Sequence, residues 1–165
     1  MKKLVALMLC IIFVFSVSGC SKEREKIVVV DGADVVAISD ERIHELVKAN
    51  NDVVSTIYGE PMFFNIAEME CHIAEFYIED IITQYCDSGV FYEEDGKVLC
   101  RIKTDEMREN ISKMEYEILS DSIYFNDDTQ TFKVRYYSEY TVYVIEFKTE
   151  YNFDLNDWVL TDILL

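Results

Sequence analysis

Between Ile66 and Tyr85 the apolar residues form two sets that one straight helix cannot bury together. Ile66, Met69, Ile73, Phe76 and Tyr77 share one helical face. Ile78, Ile81, Ile82 and Tyr85 share another, rotated by roughly 140° at about 100° per residue. Burying one such side chain contributes roughly 1.5–3 kcal/mol. Breaking a backbone hydrogen bond costs about 0.5–1.5 kcal/mol net. The spacing therefore predicts a helix, a corner at Tyr77 to Glu79 and a short second helix. A straight helix would instead leave Ile78, Ile82 and Tyr85 exposed as a contact patch.

The flanking sequence supports this punctuation. Residues 40 to 58 read as a helix capped by Ser39, with Asp40 and Glu41 at the positive end of its dipole. Asn50, Asn51 and Asp52 weaken its middle, Gly59 ends it and Pro61 follows. Asn65 caps the next helix, Glu68 is its capping-box partner, and Phe64 is placed to staple onto Met69. Residues 27 to 38 read as two short strands around Asp31-Gly32, and VFYEEDGKVLCRIK as a hairpin around Asp95-Gly96. Thr104 to Ser112 is a short helix or a long connection.

From Tyr116 the pattern changes to strands. Phe132, Val134 and Tyr136 alternate with Lys133, Arg135 and Tyr137. Tyr143, Ile145 and Phe147 alternate with Val144, Glu146 and Lys148. Trp158 to Leu164 reads as a last strand. Helices followed by an antiparallel sheet make the expected class α+β: N-terminal helices packed on a curved sheet of hairpin plus C-terminal meander. Residues 39–165 form one expected domain, preceded by a tether with a possible short β segment at 20–38.

The N-terminus carries an address. Lys2 and Lys3 precede an apolar run from Leu4 to Val17, shorter than the roughly 20 residues of a membrane span and matched to a secretory leader. Val17-Ser18-Gly19-Cys20 resembles a bacterial lipobox. The resemblance implies a signal peptide over 1–19, cleavage before Cys20, acylation of its thiol and anchoring to the cell membrane, facing outside the cytoplasm. Two acyl chains supply the two signals that stable anchoring needs. Cleavage removes two lysines and no acid, so the net charge of −17 becomes two units more negative. Such a chain lacks the basic face that nucleic acid requires.

Catalytic chemistry finds no signature. Glu68, His72, Glu75 and Glu79 lie on neighbouring turns and carry ligand chemistry, but read as a polar helix face in water, as does His44 among Glu41, Glu45 and Lys48. A nucleophile elbow and a phosphate loop are both missing. Cys71-His72 are helix neighbours that point about 100° apart. Cys71, Cys86 and Cys100 are an odd number, so a complete disulfide framework is excluded. A helical path puts Cys71 and Cys86 roughly 20 Å apart, so any bridge should involve Cys100. No metal or cofactor is expected. Tyrosines crowd the strands, and Tyr92, Tyr137 and Tyr140 are the candidate partner surface.

Ile73 to Tyr77, Gly89 to Leu99 and Asn156 to Leu160 together resemble the secreted inhibitors of bacterial cell-wall DL-endopeptidases, over roughly residues 62 to 163. Where that family usually has a tyrosine after the hairpin leucine, this chain has Cys100. The same order of elements also resembles the NTF2-like fold, a sheet curled round a helix. The first resemblance implies a non-catalytic envelope module that restrains a hydrolase with an acidic loop. The second implies a small-ligand carrier or sensor with an internal cavity.

Overall fold

The computed structural model describes residues 26–102, 110–126 and 128–165. The leader, Cys20 and most of the connection after Thr104 lie outside them. The chain is α+β, with one four-stranded antiparallel sheet and two separate hairpins.

The first hairpin pairs β1 (Ile27–Val30) with β2 (Ala33–Val36). Asp31 and Gly32 turn it with φ of 49° and 78°. This left-handed pair matches the strand twist, and glycine adopts it without a Cβ penalty. Val28, Val30 and Val35 are buried in the main core, so the hairpin packs onto the fold that follows.

Helix α1 (Asp40–Ile57) starts where Ser39 accepts the Arg42 amide, and it buries Ile43, Leu46, Val47, Val53, Val54 and Ile57. Helix α2 (Ile66–Phe76) is capped by Asn65, whose Oδ1 accepts the Glu68 amide. Glu68 reaches back to the Phe64 amide at 2.8 Å. The expected staple is a correction: Phe64 is 73% exposed while Met69 is fully buried. Its neighbour Phe63 is buried instead, against His72.

The predicted corner is present. Tyr77 and Ile78 leave helical geometry, with ψ of 161° and 153°. The chain then resumes as a short helix, α3 (Glu79–Ile81), that continues into a π-helical turn over Ile82–Asp87. The break is used: the Ile78 amide donates to the Leu160 carbonyl at 2.9 Å, so the corner pairs with the last strand. Tyr77 and Ile81 become buried on the two sides of it.

The second hairpin pairs β3 (Phe91–Glu94) with β4 (Lys97–Cys100) around Asp95-Gly96. A 3-10 turn, Ile111–Lys113, precedes the meander β5 (Glu115–Asn126), β6 (Thr129–Tyr137), β7 (Val142–Asn152) and β8 (Asp157–Leu160). The last strand is shorter than the expected Trp158–Leu164. After Leu160 the Thr161 amide bonds the Lys148 carbonyl, and the chain then leaves the sheet to meet α1, where Leu164 bonds Asn50. The alternation read from sequence holds: Phe132, Val134, Tyr136 and Phe147 point to the core beneath α1 and are each 0% exposed. Among the described residues, no helix is long and apolar enough to cross a membrane.

Candidate binding surface

The inner face of the sheet is packed with rings. Phe132 and Phe147 stack with centroids 5.1 Å apart, and Trp158 meets Phe125 and Tyr151 edge-on. Helix α1 covers this face through polar anchors. Arg42 Nε donates to the Trp158 carbonyl at 3.1 Å, beside the Asp157 carboxylate, and its guanidinium lies over Phe76. Asn51 accepts the Tyr136 hydroxyl at 3.0 Å. Asn50 accepts from Tyr77, and its amide exchanges two 2.9 Å bonds with the backbone of Leu164. Burial pushes the Tyr77 and Tyr136 phenols well above the ordinary tyrosine range, with neighbouring hydroxyls and, for Tyr77, Asp52 and Asp162 adding to it.

The outer side of α1 carries two surface clefts of about 300 and 570 Å³. The smaller is lined by Ala49, Asp52, His72, Glu75 and Phe76, the larger by Glu41, His44, Asn51 and Tyr116, and both share Glu45 and Lys48. His44 is exposed, with Nδ1 3.5 Å from the Tyr116 hydroxyl. His72 departs from its expected place in water. It sits between Phe63 and Phe76, with Nε2 3.3 Å from the Ala49 carbonyl. No three histidine, cysteine or carboxylate groups converge on a metal position among the described residues.

Cys71 is exposed, Cys100 half-buried and Cys86 buried, and all three are free thiols. Burial, with Glu70 and Asp87 nearby, raises the Cys86 thiol to about 11, which suppresses the thiolate. Burial also raises Cys100, partly offset by the Ile102 amide that its sulfur accepts.

The candidate tyrosines separate into two places. Tyr92 is half-buried on the outer face of the β3–β4 hairpin, with the Arg101 guanidinium 4.9 Å from its ring. The tip of that hairpin exposes Glu93, Glu94 and Asp95. Tyr137 and Tyr140 lie at the β6–β7 turn, and Tyr140 is 85% exposed. Tyr137 is cross-strand partner to Val142, and Arg135 to Val144, so Tyr137, Val142 and Val144 share the outer face. Val142 and Val144 are 61% and 54% exposed. These valines were not singled out in the sequence, yet the signal was there. Alternation sends Val144 to water, opposite to Ile145, and leaves an apolar side chain on the outer face. Lower on the same face, Glu117–Arg135 and Lys133–Glu146 ion pairs at 2.8 and 3.3 Å make the surface polar.

No protein-family model matches the chain, and no curated protein is significantly similar to it.

Proposed function

We propose that the chain is a lipid-anchored, non-catalytic binding module displayed outside the cytoplasm through Cys20, and that its partner is an envelope protein, in the first instance a cell-wall hydrolase. One observation carries the reading. The inner face, where a carrier would keep its ligand, is filled by Phe132, Val134, Tyr136, Phe147 and Trp158, each at most 2% exposed. Among the apolar side chains left exposed on the outside, Tyr140, Val142 and Val144 lie at the β6–β7 end, within reach of a protein partner. The acidic tip Glu93-Glu94-Asp95, raised on a hairpin beside Tyr92, has the charge and projection to enter a cleft. The same packing weakens the alternative of an NTF2-like ligand carrier.

The test adds the full mature chain to a purified cell-wall DL-endopeptidase and follows release of peptidoglycan fragments. Inhibition is expected, reduced by the triple change Glu93→Gln, Glu94→Gln and Asp95→Asn. Unchanged hydrolysis together with no complex by sedimentation rules out the hydrolase assignment. The anchor is tested separately. Cys20→Ala should accumulate as an unlipidated precursor, and a normal shortened, membrane-extracted product would refute the lipobox.

A further inference from the structure

The strand β7 is long and its neighbour β8 is short. β8 covers only Thr149–Asn152, and Thr161 adds one bond at Lys148. The Lys148 carbonyl faces β8, and backbone groups of a strand alternate sides. Val142, Val144 and Glu146 therefore aim their amides and carbonyls the same way, beyond the end of β8. Tyr143, Ile145 and Phe147 aim theirs at β6, opposite Tyr136, Val134 and Phe132. Among the described residues no strand or loop bonds the free side of Val142–Phe147.

The other edges of the same sheet are protected. β5 has a register break between Leu119 and Tyr124, where Ser122 Oγ takes the Lys133 amide and donates to the Leu119 carbonyl. Such a bulge disrupts a pairing template. The outer edge of β8 is closed by Ile78 at the corner. The open half of β7 reads Val-Tyr-Val-Ile-Glu-Phe, with no proline, no bulge and one charge, itself paired to Lys133. Its outward valines are exposed, and inward Tyr143 and Ile145 remain half-exposed.

We propose that this edge is a β-augmentation site, and that an extended segment of a partner protein adds there as a strand beside Val142–Phe147. The free backbone groups select an extended chain, because only a strand presents donors and acceptors at the matching spacing. Apolar neighbours on both faces select β-branched or aromatic residues at successive positions. A chain of net charge −17 selects a basic segment and disfavours a second copy of itself. The proposal deepens the binding-module reading and rests on it for the partner being a protein.

The test is amide hydrogen exchange on the full mature chain, with and without a synthetic peptide of alternating valine and threonine flanked by lysines. Exchange at Val142, Val144 and Glu146 is expected to slow about tenfold on peptide binding. Tyr143 and Ile145, already bonded to β6, should change little. Val144→Pro removes an N–H that the fold does not use, so it should fold and lose the peptide. A Val144→Lys variant gives a second check through a gatekeeper charge. The proposal is overturned by slow exchange at the three amides in the free chain, by protection that appears only with rising protein concentration, or by peptide binding that leaves them unprotected. If Val144→Pro still restrains a hydrolase as well as the native chain does, the edge is not the partner site and the binding-module reading stands. If no envelope protein binds but the peptide docks on β7, the functional reading falls and the edge site stands.

Discussion

The two ends of the four-stranded sheet share β5, β6 and β7 and have opposite surroundings. At the β5–β6 end the N-terminal hairpin closes over the sheet. The Asp31 amide bonds Asp128, the Ile38 amide bonds Gln130 Oε1, and Trp158 Nε1 donates to the Val36 carbonyl at 2.9 Å. Thr149, 0% exposed, completes the seal by donating to the Gln130 carbonyl. At the β6–β7 end, Tyr140, Val142 and Val144 are exposed, and no element among the described residues covers them. Period-two alternation decides which face a side chain takes. Whether that face is covered depends on what distant segments deliver, and here thirteen residues from Lys26 to Ile38 cover one end only.

The comparison predicts unequal costs of truncation, and the largest is at the closed end. Trp158→Ala should lose about 3–5 kcal/mol, the range for deleting a buried aromatic ring. Trp158 is 2% exposed, touches two other rings and holds Val36. Urea denaturation at neutral pH measures the loss. A cost below about 1 kcal/mol would mean that the hairpin does not seal this end.

The next effect comes from the middle of α1. Asn50→Ala strands the Leu164 amide and carbonyl and the Tyr77 hydroxyl together. Each buried polar group left without a partner costs about 1–3 kcal/mol, and the C-terminus can partly relax into water. A total of about 2–3 kcal/mol is expected. Amide exchange should show Leu164 released in the variant, and retained protection there would contradict the tether. Asn51→Ala should cost less, since Tyr136 loses one bond and keeps its burial.

These asparagines show where sequence reading stopped. By helix propensity Asn50-Asn51-Asp52 weakens α1, and that is correct locally. In the fold the same residues bind the C-terminus, Tyr136 and Lys48. Their partners lie up to 114 residues away, a separation that periodicity does not report. The corner at Tyr77, the two Asp-Gly turns and the strand faces were legible because each is set by neighbours in sequence. The tyrosine surface was half legible. Pattern placed Tyr137 and Tyr140 on strands and turns, but tyrosine favours strands whether buried or exposed, so composition could not separate Tyr136 from Tyr140.

Alkali should loosen the interior before the open end. Tyr77 and Tyr136 are held neutral by burial, so their folded pKa values lie above the unfolded value of about 10. Below about pH 10 that contribution to stability is complete. As pH rises past it the unfolded chain releases protons that the folded chain keeps, and stability falls. Urea midpoints measured from pH 8 to 11 should decline at the upper end. Tyr136→Phe should flatten the decline, and an unchanged slope in that variant would remove Tyr136 from the account.

The smallest effect on folding is expected at the open end, where it is also most informative. Tyr140 is 85% exposed and Val142 61%, so Tyr140→Ala and Val142→Thr each remove little buried area. Surface substitutions of this kind usually stay within about 0.5 kcal/mol. An interface tyrosine, in contrast, often contributes about 2 kcal/mol or more to binding. If the proposed function holds, Tyr140→Ala should therefore keep its urea midpoint and lose affinity for the proposed hydrolase partner by more than about tenfold, as read by sedimentation or inhibition titration. A variant with native affinity would show this end to be merely exposed. A variant that unfolds like Trp158→Ala would show it to be covered in solution, and the distinction between the two ends would fail.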